Sequence, residues 1–200
     1  VLHALSHGAR QVVVVTSAGP REGASTTAAG LARVLALSGH RVVLVGGDLR
    51  SPSTVGAQDA PGLAEVLAGT ARLSRVLVEG EVAGLELLPA GDMPGNPSEL
   101  LGGRNMSDLL HHLAADRIVI IDAPPVCRFT DAVVLAEYAG GVLLVARAGR
   151  TSAEELREAA LAVGQGGGRV LGVVLTNVSD LGRGSRSAQT AVTHAESATV

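Results

Sequence analysis

The chain has 200 residues, 46% of them apolar, a formal net charge of −3 and one cysteine, Cys127. That composition supports one folded domain with a substantial core. It excludes an internal disulfide and a multi-cysteine zinc site, and without a basic cluster it gives no electrostatic reason to expect nucleic acid.

In chain order, the opening VLHALSHGAR has neither the basic start nor the cleavage site of a signal peptide, and a first residue of Val1 suggests a piece of a longer protein. QVVVVT (11–16) reads as a strand, and a helical pattern from about Ser25 to Ser38 follows, with Gly39 placed to end it. RVVLVG (41–46) is the next strand, Leu63–Leu67 a short helix, LELLPA (85–90) a strand and Ser98–Ala114 a long helix. RIVIID (117–122), a helix over Asp131–Tyr138 and GVLLVA (141–146) come next. The following helix, about Glu154–Val163, is announced by Ser152 and Glu155 at capping-box spacing. GQGGGR (164–169) connects it to the last strand, RVLGVVLTN (169–177). The apolar runs are nearly continuous rather than alternating, which suits strands buried on both faces of a parallel sheet. Strands alternating with helices predict an α/β fold, a doubly wound and mostly parallel sheet in a single domain over 1–179, with ligands beyond the C-terminal strand ends. The polar stretch from 180 to 200 is expected to be a disordered tail. No apolar run reaches the roughly 18–20 residues that cross a bilayer.

The stretch TSAGPREGASTTAAGLA (16–32) carries the chemical signal. In a phosphate loop of the form G-x-x-x-x-G-K-[ST], glycines let backbone N–H groups close on an anion and the following helix adds its N-terminal dipole. The lysine reaches the outer phosphates and the hydroxyl ligates magnesium. Here Ala18 to Ser25 reads A-G-P-R-E-G-A-S: Gly19 and Gly23 keep backbone access, Ser25 and Thr26 supply hydroxyls, and Ala24 stands where the lysine belongs. All 16 basic residues are arginines, so drift within a lysine-free chain would have left arginine at 24. The alternative is an ordinary strand-to-helix turn capped by Ser25.

This stretch through RVVLVGGDLRSP (41–52), then GNPSELL (95–101), IVIIDAPPVCRFTDAVVLAEYAGGVLLVARAG (118–149) and VLGVVLTNV (170–178), resembles the bacterial tyrosine kinase domain linked to chain-length regulators of capsule and exopolysaccharide export. The resemblance implies a P-loop NTPase-like fold shared with partition and septum-positioning ATPases, ATP/ADP and Mg²⁺ as cofactors, and a membrane chain-length regulator, in the same chain or separate, as partner. It also implies a homo-oligomer and a cytoplasmic place at the inner face of the plasma membrane. Its second station, D-x-D-x-R, reads G-G-D-L-R, so Gly46 replaces the first aspartate while Asp48 and Arg50 remain; the third, Asp122, is intact. Ser25, Asp48 and Asp122 become the magnesium candidates, with Asp48 and Asp122 the residual catalytic ones. Gly19, Arg21, Gly23, Ser25, Thr26, Arg50 and Asn177 become the nucleotide candidates. The C-terminal tyrosine cluster phosphorylated in the family is missing from 180–200. The expectation is a catalytically impaired regulatory or assembly module; the alternatives are an active kinase with altered stations and a partition-type ATPase.

Other residues read more plainly. Asn177 is either a reader of the base edge or a turn asparagine; Asp131 is expected to cap a helix, and Cys127 to be a lone small hydrophobe near the expected ligand edge. Tyr138 is expected in the core. His111 and His112 have no ligand cluster beside them. Arg21 is read first as a solvated loop residue and, as the alternative, as a cation that folds onto a phosphate; Arg50 holds a phosphate, a neighbouring subunit or only its own loop.

Overall fold

The computed structural model describes residues 11–51, 55–56 and 60–178; the expected tail from 180 to 200 lies outside them. The chain runs β1 (Val12–Ser17), α1 (Ala24–Leu37), β2 (Val42–Gly46), α2 (Leu63–Leu67), α3 (Leu73–Val76), β3 (Val78–Glu79) and β4 (Leu85–Leu88). It continues with α4 (Pro97–Leu101), α5 (Arg104–Leu113), β5 (Ile118–Asp122), α6 (Asp131–Tyr138), β6 (Gly141–Arg147), α7 (Ala153–Gln165) and β7 (Val170–Thr176). The strands form one sheet in the order β3-β4-β2-β5-β1-β6-β7, parallel throughout except for the short β3–β4 pair.

The central strands are β-branched and buried on both sides, so alternate residues feed two cores. Val12 and Val14 of β1 face one core with Leu110 and Leu113 of α5, Leu135 of α6 and Val163 of α7. Val13 and Val15 face the other, closed by Ala28, Ala32, Leu35 and Ala36 of α1. The alanines recur every four residues, and their small side chains let the helix lie close on the sheet. This is the doubly wound, mostly parallel architecture expected from the sequence.

Two expectations about these elements are corrected. The long helix of 98–114 is two helices, because Gly102 ends α4 and Gly103, in extended backbone, starts α5; glycine is a weak helix former and permits the break. β7 is not buried on both faces: it is a sheet edge, with Val173 49% and Leu175 57% exposed. Between α2 and β4 the chain adds α3 and β3, too short to show a period. The helix ends read from sequence do form. Ser152 accepts from the Glu155 N–H at 3.1 Å and its own N–H donates to Glu155 Oε2 at 2.8 Å, and Gly39 closes α1 with φ 86°.

Candidate functional site

A cleft of about 500 Å³ opens over the C-terminal ends of β1, β2 and β5, where the doubly wound fold places ligands. Its walls include Arg21, Gly23, Ala24, Ser25 and Thr26 from the first loop and helix, Gly46 and Asp48 after β2, and Asp122 at the end of β5. The parallel register sets Gly46 beside Asp122, so two of the positions singled out in the sequence are neighbours across the sheet. A roomier groove of about 630 Å³ beside α2 and α4 is lined by none of the expected residues.

Gly23 turns the chain into α1 at φ 98°, a left-handed conformation that glycine adopts freely, and a Cβ there would come within 3.3 Å of Thr176. No side chain caps the helix; Ser25 lies inside the first turn, so the reading of Ser25 as a cap is corrected. The uncapped N-terminus faces the cleft with its dipole, which suits an anion. Ala24, the first residue of the helix, adds no charge.

The loop is fixed by contacts that sequence reasoning did not foresee. Glu22 is buried at 4% exposure; its carboxylate accepts the Gly19 N–H at 3.1 Å and the Thr151 hydroxyl at 2.7 Å. The Thr176 hydroxyl donates to the Glu22 carbonyl at 2.6 Å, and Arg147 donates to the Arg21 carbonyl at 3.1 Å. Arg21 itself sits at φ 61°, unusual for a residue with a side chain. Gly19 is therefore occupied within the loop rather than lining the cleft.

Arg50 is drawn away from the cleft wall. Its guanidinium makes a bidentate pair with Asp131, at 2.5 Å to Oδ2 and 3.1 Å to Oδ1, and reaches Ser98 Oγ at 3.2 Å. The Ser98 hydroxyl donates to Asp131 as well, and the guanidinium lies 4.7 Å from the centroid of the Phe129 ring. Asp131 is fully buried, and α6 is not capped by its side chain, so the capping role expected for it is corrected to ion pairing. Burial pushes the Asp131 carboxyl up, but the hydrogen bonds from Arg50 and Ser98 and the Arg50 charge outweigh this and hold it below the usual carboxylate range. The Arg50 N–H donates to Asp48 Oδ1 at 3.0 Å, so the same residue that clamps α6 also orients the cleft aspartate.

The structure thus brings Arg21, Gly23, Ser25, Thr26, Asp48 and Asp122 together and leaves Gly19, Arg50 and Asn177 off the cleft wall. Asn177 is exposed at φ 53° at the end of β7, the geometry of a turn asparagine. Arg128 joins the wall although no sequence motif singles it out. Cys127 is an exposed residue whose thiol is partly shielded from water, and that shielding, with the nearby Glu158, Glu155 and Glu22 after it, raises its pKa. Tyr138 is partly buried and donates to the Gly102 carbonyl at 3.1 Å. Ser25, Asp48 and Asp122 offer the hard oxygen donors that magnesium takes. Among the described residues no three histidine, cysteine or acidic side chains cluster closely enough to hold a metal unaided, so phosphate oxygens and water would have to complete its shell.

No family model matches the chain. It is 36% identical over 167 residues to the tyrosine-protein kinase YwqD of Bacillus subtilis, covering 82% of this chain and 70% of that protein. It is 34% identical over 179 residues to the tyrosine-protein kinase ptk of Acinetobacter johnsonii, covering 88% of this chain and 24% of that one. The chain therefore spans about a quarter of the longer relatives it matches. Among solved structures, the kinase domain of the Escherichia coli tyrosine kinase ETK superposes with a TM-score of 0.80 at 30% identity, over 88% of this chain and 72% of that one. The septum site-determining protein MinD of Pyrococcus horikoshii, solved with Mg-ADP, has a TM-score of 0.67 at 20% identity over 84% of this chain and 72% of that one, a likeness of fold alone.

Proposed function

The chain belongs to the bacterial tyrosine-protein kinase family, and on that premise we propose that it is a nucleotide-binding module of exopolysaccharide or capsule export whose kinase chemistry is impaired. The observation that carries this reading is the pairing of two losses in one cleft: Ala24 at the entrance of α1 and Gly46 registered against Asp122. A charge-assisted hydrogen bond contributes about 1.5–3 kcal/mol, so the missing lysine weakens triphosphate binding by about ten- to a hundredfold. Phosphoryl transfer suffers more, because positioning and charge stabilisation supply almost all of its catalysis.

ADP or ATP would be held by the N–H groups at the start of α1, with Ser25, Asp48 and Asp122 turned to magnesium. Bound magnesium would neutralise charge on the outer phosphates. The module would act by assembling with copies of itself and with a membrane-bound chain-length regulator, in the same chain or separate, at the inner face of the plasma membrane. Among the described residues no helix is long and apolar enough to cross a membrane.

Phosphate release and anti-phosphotyrosine blotting of the purified protein test this directly: little or no turnover and no tyrosine phosphorylation are expected. A second reading, a working kinase, is favoured by Ser25, Asp48 and Asp122 sharing the cleft. Magnesium-dependent turnover that Asp122→Asn abolishes would establish it in place of the first.

A further inference from the structure

The cleft has a charge problem that its sequence motif does not solve. Asp48 and Asp122 line it, Glu22 lies buried in its loop, and position 24 is neutral. A polyphosphate entering such a site needs cations from somewhere else. We propose that Arg21 and Arg128 take over the cationic duty absent at position 24, gripping the polyphosphate of a nucleoside di- or triphosphate. Arg21 would act from the loop after β1 and Arg128 from the turn after β5. This assignment rests on the nucleotide-binding reading above and names the residues that make it possible.

Four observations converge on the pair. They are the two basic side chains among the described residues that line the cleft. Both are exposed, and neither forms a salt bridge among the described residues. The neighbouring arginines are already engaged, Arg50 by Asp131 and Arg147 by the carbonyl of Arg21. Their backbones, finally, are held by hydrogen bonds. Arg147 donates to the carbonyl of Arg21 and Thr176 to that of Glu22, which brace the left-handed conformation of Arg21. The turn carrying Arg128 is pinned by hydrogen bonds from Arg128 and Phe129 N–H to the Pro125 carbonyl at 3.0 and 3.2 Å, and from Val126 N–H to Ser17 at 2.9 Å.

A side chain in a left-handed conformation that glycine would adopt freely persists only where the surroundings over-determine it, and such positions gather at ligand sites. Arginine also suits phosphate, because its planar fork can donate two parallel hydrogen bonds to one group, whereas lysine offers a point charge. Two arginines supplied from outside the motif therefore restore charge without restoring the geometry of a lysine aimed along the helix entrance. Binding and transfer come apart, because a grip on the phosphates is not the in-line positioning that transfer requires.

The experiment is a titration of purified protein with N-methylanthraniloyl ADP and ATP in magnesium, read by fluorescence and repeated with inorganic triphosphate as competitor. Arg128→Ala and Arg21→Gly should each weaken binding roughly tenfold or more, and the double variant further, as expected for lost charge-assisted contacts. Arg104→Ala, which removes a 91% exposed arginine outside the cleft, should leave it within about twofold, because rim charges act weakly. Arg21→Gly suits the loop's φ, so a loss of affinity there reports the side chain and not a broken backbone. Should Arg128→Ala fail to give the wild-type circular dichroism spectrum, Arg128→Gln replaces it. Wild-type binding that neither variant changes overturns the assignment alone. A wild type that binds neither nucleotide nor triphosphate overturns the nucleotide-binding reading together with it.

Discussion

Replacing Asp131 by alanine should destabilise the domain more than any change at the cleft's surface. The carboxylate is 0% exposed and accepts from Arg50 Nε, Arg50 Nη2 and Ser98 Oγ, while the Arg50 side chain is 29% exposed. Breaking a buried pair by removing one partner costs about 3–5 kcal/mol, because a charge is left without compensation. Arg50 keeps some access to water, which places Asp131→Ala near the lower end, about 3 kcal/mol. Against a total stability of about 5–15 kcal/mol that is a large fraction. The measurement is urea unfolding, with a lower midpoint at an unchanged slope. The double change Arg50→Met with Asp131→Leu removes both charges and should cost less than Asp131→Ala alone. The dependence on acid follows from the lowered carboxyl pKa. The pair contributes fully above the unfolded carboxylate's ordinary value of 3.8 and is lost as pH falls through the lower folded value. A loss below about 1 kcal/mol for Asp131→Ala, or a double variant equal to the sum of its singles, would refute the idea that the clamp is a coupled ion pair.

Three further outcomes are expected. Ala24→Lys should raise triphosphate affinity by about ten- to a hundredfold in the same fluorescence titration; a change below about threefold would mean that the loop no longer shapes a lysine toward the phosphates. Gly62→Ala should destabilise by about 3 kcal/mol, since its Cβ would sit 2.2 Å from the Pro89 carbonyl oxygen and 2.7 Å from the Gly91 nitrogen, backbone that cannot swing aside; an unchanged thermal midpoint would contradict it. Ser152→Ala removes a helix cap and should lower stability by about 1 kcal/mol, read as a shift in urea midpoint with cleft binding unaffected.

Much of the fold is legible in the sequence because its signals are local. Four successive valines declare a strand buried on both faces, Gly39 an ending and Ser152 with Glu155 a beginning. The glycine-rich loop, too, declares itself by spacing as a turn between a strand and a helix, and the structure places it there. What stays hidden depends on partners distant in sequence. Asp131 looks like a cap because it opens a helix; its real partner lies 81 residues earlier, and only the fold brings them together. Glu22 gives no sign that its carboxylate meets Thr151, 129 residues away. Arg128 draws no attention because nothing in the stretch 118–149 attaches a chemical role to it, yet the turn after β5 delivers it to the same wall as the loop. The exposed faces of β7 are hidden for a different reason: an edge strand and a central one can share the same apolar run.

The hydroxyl of Thr176 has a mechanical meaning. It ends β7 and donates to the carbonyl of Glu22, 154 residues earlier, at 2.6 Å, and its methyl group is what a side chain at position 23 would meet. The last strand is thus tethered to the loop under the cleft at a point two residues before Val178. A displacement of the end of β7 would therefore be felt in the loop, through this hydroxyl and through Arg147 of the neighbouring strand, which donates to the Arg21 carbonyl. Conversely, whatever stiffens the loop would stiffen the end of the strand.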